Sequence, residues 1–253
     1  MLNKICFVAS TGSKANQEVD KLRKIYGDVQ IDLAEVIVAL GGDGFMLQTL
    51  HDSQNLKLPV YGMNYGTVGF LMNEFSNVNL LERLEIAEEA IINPLRMKAY
   101  CKNGIIETGL AINEVSLLRS SSQAAKLKIM IDGKERMKEL VCDGALVSTP
   151  AGSTAYNYSA HGPILPINGN ILALTAVASY RPRRWRGAVL SSEATIDFEI
   201  IDPEKRPVSA VADSVEVPNV LKVEVKSEKT INHRLLFDPG HGLEERLISE
   251  QFS

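Results

Sequence analysis

The sequence predicts two domains: a Rossmann-like α/β domain at the N-terminus, followed by a mostly β, sandwich-like domain. Strand and helix patterns alternate through the first third of the chain, whereas paired strand patterns dominate after about residue 94. The 253 residues are 45% hydrophobic and 23% charged, which suits a globular protein with a sizeable core. We therefore expect an α+β or α/β architecture rather than a disordered or fibrous chain.

The N-terminal domain is predicted over residues 1–94. Three short apolar runs are typical of buried parallel strands: Ile5–Ala9, Val36–Leu40 and Pro59–Met63. Helical spacing of apolar residues separates and follows them, at Ala15–Tyr26, from about Gly44, and at Asn79–Ala90. This order predicts a doubly wound layer whose ligands lie at the carboxyl ends of the strands.

The second domain is predicted over residues 95–234. Two hairpins are indicated by Asn103-Gly104 and Asp132-Gly133, each flanked by strand-like runs (96–101 with 105–110, and 127–131 with 136–140). Further strands are expected at Ala194–Ile201, Val208–Val211 and Val220–Val225. The final segment, residues 235–253, is a candidate to return and complete the first domain.

Composition and charge exclude several classes of function. A net charge of −4 argues against nucleic acid as the main partner. The cysteines, Cys6, Cys101 and Cys142, are far apart and lack metal-binding spacing, so reduced thiols are expected rather than disulfides or zinc. The first residues resemble a strand rather than a signal peptide, and no apolar run is long enough to cross a membrane. A cytoplasmic location is therefore expected.

The first candidate site is the glycine-rich turn around Asp43, with Gly41, Gly42 and Gly44 beside it. A turn between a buried strand and a helix brings backbone close to a ligand, and the helix start offers N–H groups to phosphate. Asp43 would then serve as base, orienting group or magnesium anchor. The alternative is a tight turn with a capping aspartate. The turn is neither a Walker A loop nor a GxGxxG fingerprint.

Two shorter candidates follow. Residues 64–71, NYGTVGFL, place two glycines and a tyrosine after the third strand, which an ordinary strand-to-helix loop explains equally well. Asn113 and Glu114 interrupt an apolar β-like stretch, and buried polar groups need partners. A ribose diol or an adenine edge would provide them; hydrogen bonds to neighbouring backbone would do so too.

The longest candidate runs over residues 142–163. A strand at Ala145–Ser148 leads into a Pro/Gly turn and a predicted short helix from Gly152. This helix is rich in hydroxyls, at Ser153, Thr154, Tyr156 and Ser159, and a hydroxyl-rich helix start suits a dinucleotide along the backbone. The alternative is a polar surface helix capped by Ser153.

Together, GGDGF, NYGTVGF, NEV, DGALVSTPAGSTAYNYSAHGP and RPRRWRG resemble the motifs of the bacterial NAD kinase family in its shorter form, across about residues 40–190. The resemblance implies an NAD kinase/diacylglycerol kinase-like fold. It implies phosphoryl transfer from ATP, another nucleoside triphosphate or polyphosphate to the 2′-hydroxyl of the adenosine ribose of NAD, giving NADP. Magnesium would arrive with ATP, without a protein metal site, and homodimers or homotetramers are implied.

The resemblance also implies roles for individual residues. Asp43 would be the general base, with Gly44 beside it, and Asn113 and Glu114 would hold the ribose and nicotinamide region of NAD. The dinucleotide groove would be lined by Asp143, Ala151, Thr154, Ala155, Tyr156, Asn157, Tyr158 and Ser159. Two positions depart from the pattern. His161 stands where many relatives have glycine, and Val211-Ala212-Asp213-Ser214 occupies the place of an Asp-Gly or Asp-Gln type turn, so that a dinucleotide contact is not carried over to Ser214.

Other interpretations stay open from sequence. Arg181, Arg183, Arg184 and Arg186 surround Trp185, which suggests phosphate contact or, more plainly, a subunit interface or solvated loop. A lipid kinase of the diacylglycerol or sphingosine type shares the turn around Asp43, but the hydroxyl-rich segment suits NAD better. A non-catalytic dinucleotide sensor is a further alternative, against which the presence of Asp43 argues.

Overall fold

The computed structural model describes residues 4–65, 69–102 and 104–252, which fold into two compact units. Unit 1 contains the chain up to Ile92 and again from Ile231, and unit 2 contains Asn93–Thr230. The sequence places these boundaries at residues 94 and 235. No helix among the described residues is long and apolar enough to cross a bilayer.

Unit 1 begins with alternating strands and helices. In chain order these are β1 (Ile5–Ala9), α1 (Ser13–Tyr26), β2 (Val36–Gly41), α2 (Asp43–Ser53), β3 (Pro59–Asn64), α3 (Leu80–Ile86) and β4 (Glu88–Ile92), with a 3-10 turn at Ile31–Leu33. The apolar runs predicted as parallel strands are confirmed as β1, β2 and β3. The predicted helix over Asn79–Ala90 is wrong beyond Ile86, because residues 88–92 pair in the sheet instead of continuing the turns of α3.

Unit 2 consists mainly of strands. They are β5 (Leu95–Cys101), β6 (Ile106–Ala111), β7 (Glu114–Arg119), β8 (Ala125–Ile131), β9 (Lys134–Cys142), β10 (Gly144–Ser148), β11 (Ile171–Val177), β12 (Gly187–Ser191), β13 (Ile196–Ile200), β14 (Val208–Ala212), β15 (Val215–Val217) and β16 (Val220–Ser227). A 3-10 turn (Ala151–Thr154) and the single-turn helix α4 (Tyr156–Ser159) separate β10 from β11.

The chain then returns to unit 1 with β17 (His233–Phe237) and α5 (Leu243–Gln251). The sheet of unit 1 has the order β1-β2-β3-β17-β4, in which β17 runs parallel to β3 and antiparallel to β4. Strands β1, β2 and β3 are mutually parallel, so their carboxyl ends lie along one edge of the sheet. A core of buried side chains from strands and helices, including Phe7, Leu22 and Tyr61, supports this edge.

Two six-stranded sheets form unit 2, with the orders β12-β11-β10-β7-β14-β15 and β6-β5-β16-β13-β8-β9. Their inward side chains, such as Val147 from one sheet and Phe198 from the other, belong to one buried cluster, so the unit is a β-sandwich. Both predicted hairpins, β5–β6 and β8–β9, are confirmed by antiparallel pairing. Asn103 of the first turn lies outside the described residues. The predicted fold class is confirmed.

Candidate functional site

Asp43 is the first residue of α2, directly after β2 ends at Gly41. Its carboxylate accepts hydrogen bonds from two successive backbone N–H groups, Oδ2 from Phe70 at 2.6 Å and Oδ1 from Leu71 at 2.8 Å. No side chain caps α2, whose N-cap residue is Gly42, so the interpretation of Asp43 as a capping aspartate is wrong. The half-buried carboxylate is instead held by the segment that follows β3.

Gly69 explains why this second segment is rich in glycine. A Cβ atom at Gly69 would lie 2.8 Å from Oδ1 of Asp43 and 2.9 Å from the Met72 side chain, which is closer than real Cβ contacts allow. The backbone therefore approaches the carboxylate as the glycine pattern predicts. Gly66, Thr67 and Val68 of the same motif lie outside the described residues.

A cavity of about 520 Å³ opens at the carboxyl ends of β1 and β3, next to the start of α1. Its lining consists of Ser10, Gly12, Lys14, Ala15, Asn64, Tyr65 and Phe75. Asn64 pairs with Gly41 across the sheet, which places the cavity beside the strand that leads to Asp43. The side-chain oxygen of Asn64 is buried and has no hydrogen-bond partner within the described part of the chain. A ligand donor would satisfy it.

In unit 2, Asn113 and Glu114 lie at the beginning of β7, where Asp213 and Thr149 hold the backbone by hydrogen bonds. Oδ2 and Oδ1 of Asp213 accept hydrogen bonds from the backbone N–H groups of Ile112 at 2.6 Å and of Asn113 at 3.1 Å. The Asn113 carbonyl accepts the N–H of Thr149 at 3.0 Å. Asp213 has a left-handed φ of 47° in the turn between β14 and β15. These bonds fix the backbone that carries the amide and the carboxylate.

Glu114 combines burial with an unused acceptor. Oε2 of Glu114 is buried and has no hydrogen-bond partner among the described residues. The pKa of Glu114 is raised from its ordinary value of 4.5 to about 7, mainly by burial and secondly by the charge of Asp213, while a hydrogen bond from the Tyr156 backbone opposes the shift. A buried carboxyl oxygen of this kind is an acceptor for hydroxyl or amide donors of a ligand.

The Pro/Gly turn after β10 packs directly on Asn113. A Cβ atom at Gly152 would lie 2.3 Å from the Asn113 carbonyl oxygen, so glycine is required for this approach. The Thr149 hydroxyl donates to the carbonyl of Ile112 at 2.7 Å and accepts the Gly152 N–H at 3.0 Å. The hydroxyl and the glycine thus join the turn to the Asn113–Glu114 backbone, and Ala151 is buried within it.

The predicted helix from Gly152 is replaced by two short turns. The 3-10 turn Ala151–Thr154 and helix α4 are separated at Ala155, whose ψ of −127° is not helical. Four-residue turns have little cumulative dipole, so the helix-dipole argument for phosphate binding does not apply here. Thr154, Ala155 and Tyr156 are half-buried, whereas Tyr158 and Ser159 are exposed.

Two polar residues of this segment are used internally. The buried Ser153 hydroxyl donates to the carbonyl of Pro150 at 2.7 Å and accepts the Leu165 N–H at 3.0 Å. Asn157 is fully buried: its amide nitrogen donates to the carbonyls of Ser153 and Pro163 at 3.0 and 2.9 Å, and its oxygen accepts the Thr175 hydroxyl at 2.6 Å. Asn157 therefore organises the turn, and in this conformation its amide does not face a ligand.

The remaining predicted residues are more open. The half-exposed Asp143 forms an ion pair with Arg119, Nε to Oδ1 at 2.7 Å. His161 is exposed and has a φ of 62°, the left-handed region that favours glycine, which explains physically why glycine suits this position.

The loop before β12 carries four exposed arginines, none of which forms an ion pair within the described residues: Arg181, Arg183, Arg184 and Arg186. Trp185 packs against the core of unit 2.

Local sequence patterns do not identify two residues that shape these sites, Asp213 and Asn64. The role of Asp213 depends on partners about 100 residues away, and that of Asn64 depends on the cavity that it lines. The described residues contain no group of three or more His, Cys, Asp and Glu side chains placed to hold a metal. Cys6 and Cys142 are buried free thiols, and burial raises the pKa of Cys142 to about 12.

Comparison with known families places the chain. Residues 6–87 match the ATP-NAD kinase N-terminal domain, and residues 112–232 match the ATP-NAD kinase C-terminal domain. An NAD kinase from Cereibacter sphaeroides is 64% identical over 249 residues, covering 98% of each chain. An NAD kinase from Caulobacter vibrioides is 54% identical over 252 residues, covering 100% of this chain and 97% of that one.

Solved structures agree on the fold. A yeast NADH kinase complexed with NADH superimposes with a TM-score of 0.84 at 20% identity, covering 99% of this chain and 87% of that one. An NAD kinase from Archaeoglobus fulgidus in complex with ATP gives a TM-score of 0.76 at 23% identity, covering 97% and 96%. With both family domains matched and relatives more than half identical over nearly their whole length, the chain belongs to the NAD kinase family, enzymes that phosphorylate NAD with ATP.

Proposed function

We propose that this member transfers the γ-phosphoryl group of ATP to the 2′-hydroxyl of the adenosine ribose of NAD, with Asp43 as the group that orients the hydroxyl and accepts its proton. The observation that supports this role is the half-buried carboxylate at the start of α2. It accepts hydrogen bonds from two backbone N–H groups, which fix it, and it does not cap the helix. Each oxygen keeps a second lone pair for a ligand hydroxyl. Phosphoryl transfer needs positioning and charge stabilisation more than a covalent nucleophile.

NAD is held, in this proposal, by the segment around Glu114. Oε2 of Glu114 and the Asn113 side chain accept and donate hydrogen bonds to the ribose and nicotinamide region, which supplies the partner that Oε2 lacks. Thr154, Ala155, Tyr156, Tyr158 and Ser159 offer the open face of the turn. Asp143, which directly precedes β10 and forms an ion pair with Arg119, is proposed to line the same groove. The buried Ala151 and Asn157 act by holding that turn in shape.

The donor is assigned to unit 1. The cavity at the carboxyl ends of β1 and β3 combines the start of the 14-residue helix α1 with the Lys14 side chain. Helix starts and lysine favour phosphate, and this edge of a parallel sheet is where ligands bind. Magnesium enters as the complex with ATP and keeps most of its waters, as this ion usually does at triphosphate sites.

The product of the reaction tests the proposal. Purified protein is incubated with NAD and magnesium ATP, and the product is identified by chromatography and ³¹P NMR against 2′- and 3′-phosphorylated standards. Only the 2′-phosphate is expected, and an NAD analogue that lacks the adenosine 2′-hydroxyl should give no product. Formation of a 3′-phosphate, or phosphorylation of diacylglycerol or sphingosine instead of NAD, would contradict it.

Parallel reactions define the finer properties of the enzyme. Polyphosphate in place of ATP, and NADH in place of NAD, establish the range of donor and acceptor. Light scattering after size-exclusion chromatography distinguishes the homodimer or homotetramer that the family resemblance implies from a monomer. Cell fractionation tests the expected cytoplasmic location.

A further inference from the structure

The C-terminal helix reaches the segment that holds Asp43. Nη1 of Arg246, in α5, donates to the carbonyl oxygen of Gly69 at 3.0 Å and to that of Phe70 at 3.3 Å. All of these groups belong to unit 1. Arg246 is almost 180 residues from Gly69 in sequence, so no local motif links them.

The two carbonyls belong to the same peptide groups that bind Asp43. The Gly69 carbonyl shares its peptide plane with the Phe70 N–H, and the Phe70 carbonyl shares its plane with the Leu71 N–H. Those N–H groups are the donors to Oδ2 and Oδ1 of Asp43 at 2.6 and 2.8 Å. Two adjacent peptide groups therefore connect one guanidinium with both oxygens of one carboxylate.

A cation on the carbonyl side strengthens this arrangement. Hydrogen bonds in series polarise one another, so a guanidinium on the oxygen makes the N–H of the same peptide a better donor. The orientation of both planes is also fixed, because the peptide group is rigid.

Arg246 is itself held in place. Its Nε donates to the carbonyl of His241 at 2.9 Å, and its guanidinium lies 5.4 Å from the centre of the Phe237 ring. Burial lowers the pKa of Arg246, and the charges of Asp43 and Asp238 oppose this shift. The guanidinium therefore lies within range of electrostatic attraction by the Asp43 carboxylate. The side chain is a fixed part of the support rather than a mobile surface cation.

The geometry points to Arg246 as a positioning residue for the reaction, which fixes Asp43 through the peptide groups of Gly69 and Phe70. This inference rests on the proposed function, because it assigns Arg246 to the support of the group proposed to accept the hydroxyl proton. Arg246 does not need to touch NAD or ATP for this role.

Arg246→Met tests the inference, because methionine keeps an unbranched stem and removes the hydrogen bonds to the Gly69 and Phe70 carbonyls, together with the one to His241. At a temperature well below the unfolding midpoint, kcat should fall about 10- to 100-fold while KM for NAD changes less than about 3-fold. Arg246→Lys should recover part of kcat, since an ammonium group can donate to one of the carbonyls. Arg234→Met is the matched control: it removes an arginine of unit 1 whose ion pair is with Glu89 and should leave kcat unchanged.

A different result is expected if Arg246 only attaches α5 to the rest of unit 1. In that case Arg246→Met would lower the unfolding midpoint but leave kcat at the parent level, and the inference would be overturned. Should Arg246→Met not fold, Arg246→Lys decides: a parental kcat contradicts the inference, and a kcat reduced at unchanged KM supports it.

A double-mutant comparison separates this inference from the proposed function. In the Asp43→Asn background, Arg246→Met should cause no further loss of the residual kcat, because Arg246 acts through Asp43. If Asp43→Asn is inactive but Arg246→Met is not, the inference about Arg246 fails alone. If Asp43→Asn keeps full activity, the proposed role of Asp43 fails, and with it the inference.

Discussion

Replacing Glu114 with glutamine should change how the stability of the protein depends on pH. Glutamine has nearly the same shape as a protonated glutamic acid, so it keeps the packing at the start of β7 and removes the titration. Burial raises the pKa of Glu114 from 4.5 to about 7, with a contribution from the Asp213 charge and an opposing hydrogen bond from Tyr156. The folded state therefore prefers the neutral acid, while the unfolded chain ionises at the ordinary pKa.

The sign and the size of the effect follow from this difference. The raised pKa contributes stability that is fully present below about pH 4.5 and is lost as pH rises through about 7. With about 1.4 kcal/mol for each pH unit, the contribution is at most roughly 3 kcal/mol. Relative to the parent, Glu114→Gln should therefore be nearly neutral at about pH 4 and more stable by up to roughly 3 kcal/mol at about pH 8.

Urea unfolding at several pH values between these limits measures the effect. The control is Glu107→Gln in the same unit, because Glu107 is exposed and its replacement should cause only a small change in stability. If the difference between Glu114→Gln and the parent is the same at both ends of the pH range, the buried carboxyl does not titrate as described, and the argument for an unsatisfied ligand acceptor is refuted.

Three further predictions concern the packing around the same segments. His161→Gly should raise stability by roughly 0.5–1 kcal/mol, seen as a few degrees in Tm, because it relieves a left-handed φ; His161→Ala should not. Gly152→Ala should destabilise the fold by about 1–3 kcal/mol or more in urea unfolding and raise KM for NAD, because the added Cβ meets the Asn113 carbonyl. The control is Gly44→Ala, which should be neutral or stabilising because Gly44 has open space around it. Cys142 should resist thiol reagents until the protein unfolds, because burial raises its pKa to about 12. The half-buried Cys101 should react first, and rapid labelling of Cys142 in the native protein would contradict this prediction.

Local sequence patterns correctly predict the parallel strands of unit 1 and two hairpins of unit 2. The apolar runs that become β1, β2 and β3 are short, uninterrupted and bounded by polar segments, as parallel strands buried on both faces require. Two hairpins of unit 2, β5–β6 and β8–β9, follow from glycine-containing turns between strand-like runs. The close backbone approach predicted from the glycines of residues 64–71 occurs at Gly69, beside Asp43, whereas Gly42 and Gly44 have open space around them.

Features that depend on distant partners are not visible in local patterns. β4 continues the apolar spacing of α3, and only its antiparallel pairing with β17 makes residues 88–92 a strand. The short turns after Gly152 follow from internal bonds of Ser153 and Asn157, which a helical spacing of hydroxyls does not reveal. Asp213 and Arg246 support their sites through backbone groups that lie 101 and 177 residues away in sequence, so local patterns do not identify these partners.

The most direct measurement of the central claim is the steady-state rate of NADP formation by Asp43→Asn. Asparagine keeps the size of the side chain and can still accept one of the two backbone N–H groups, but it cannot accept a proton from the ribose hydroxyl. We predict a loss of kcat of at least about 100-fold with KM for NAD within a few-fold of the parent value. A variant that forms NADP at close to the parent rate would show that the carboxylate held by Phe70 and Leu71 is not the group that acts on the hydroxyl.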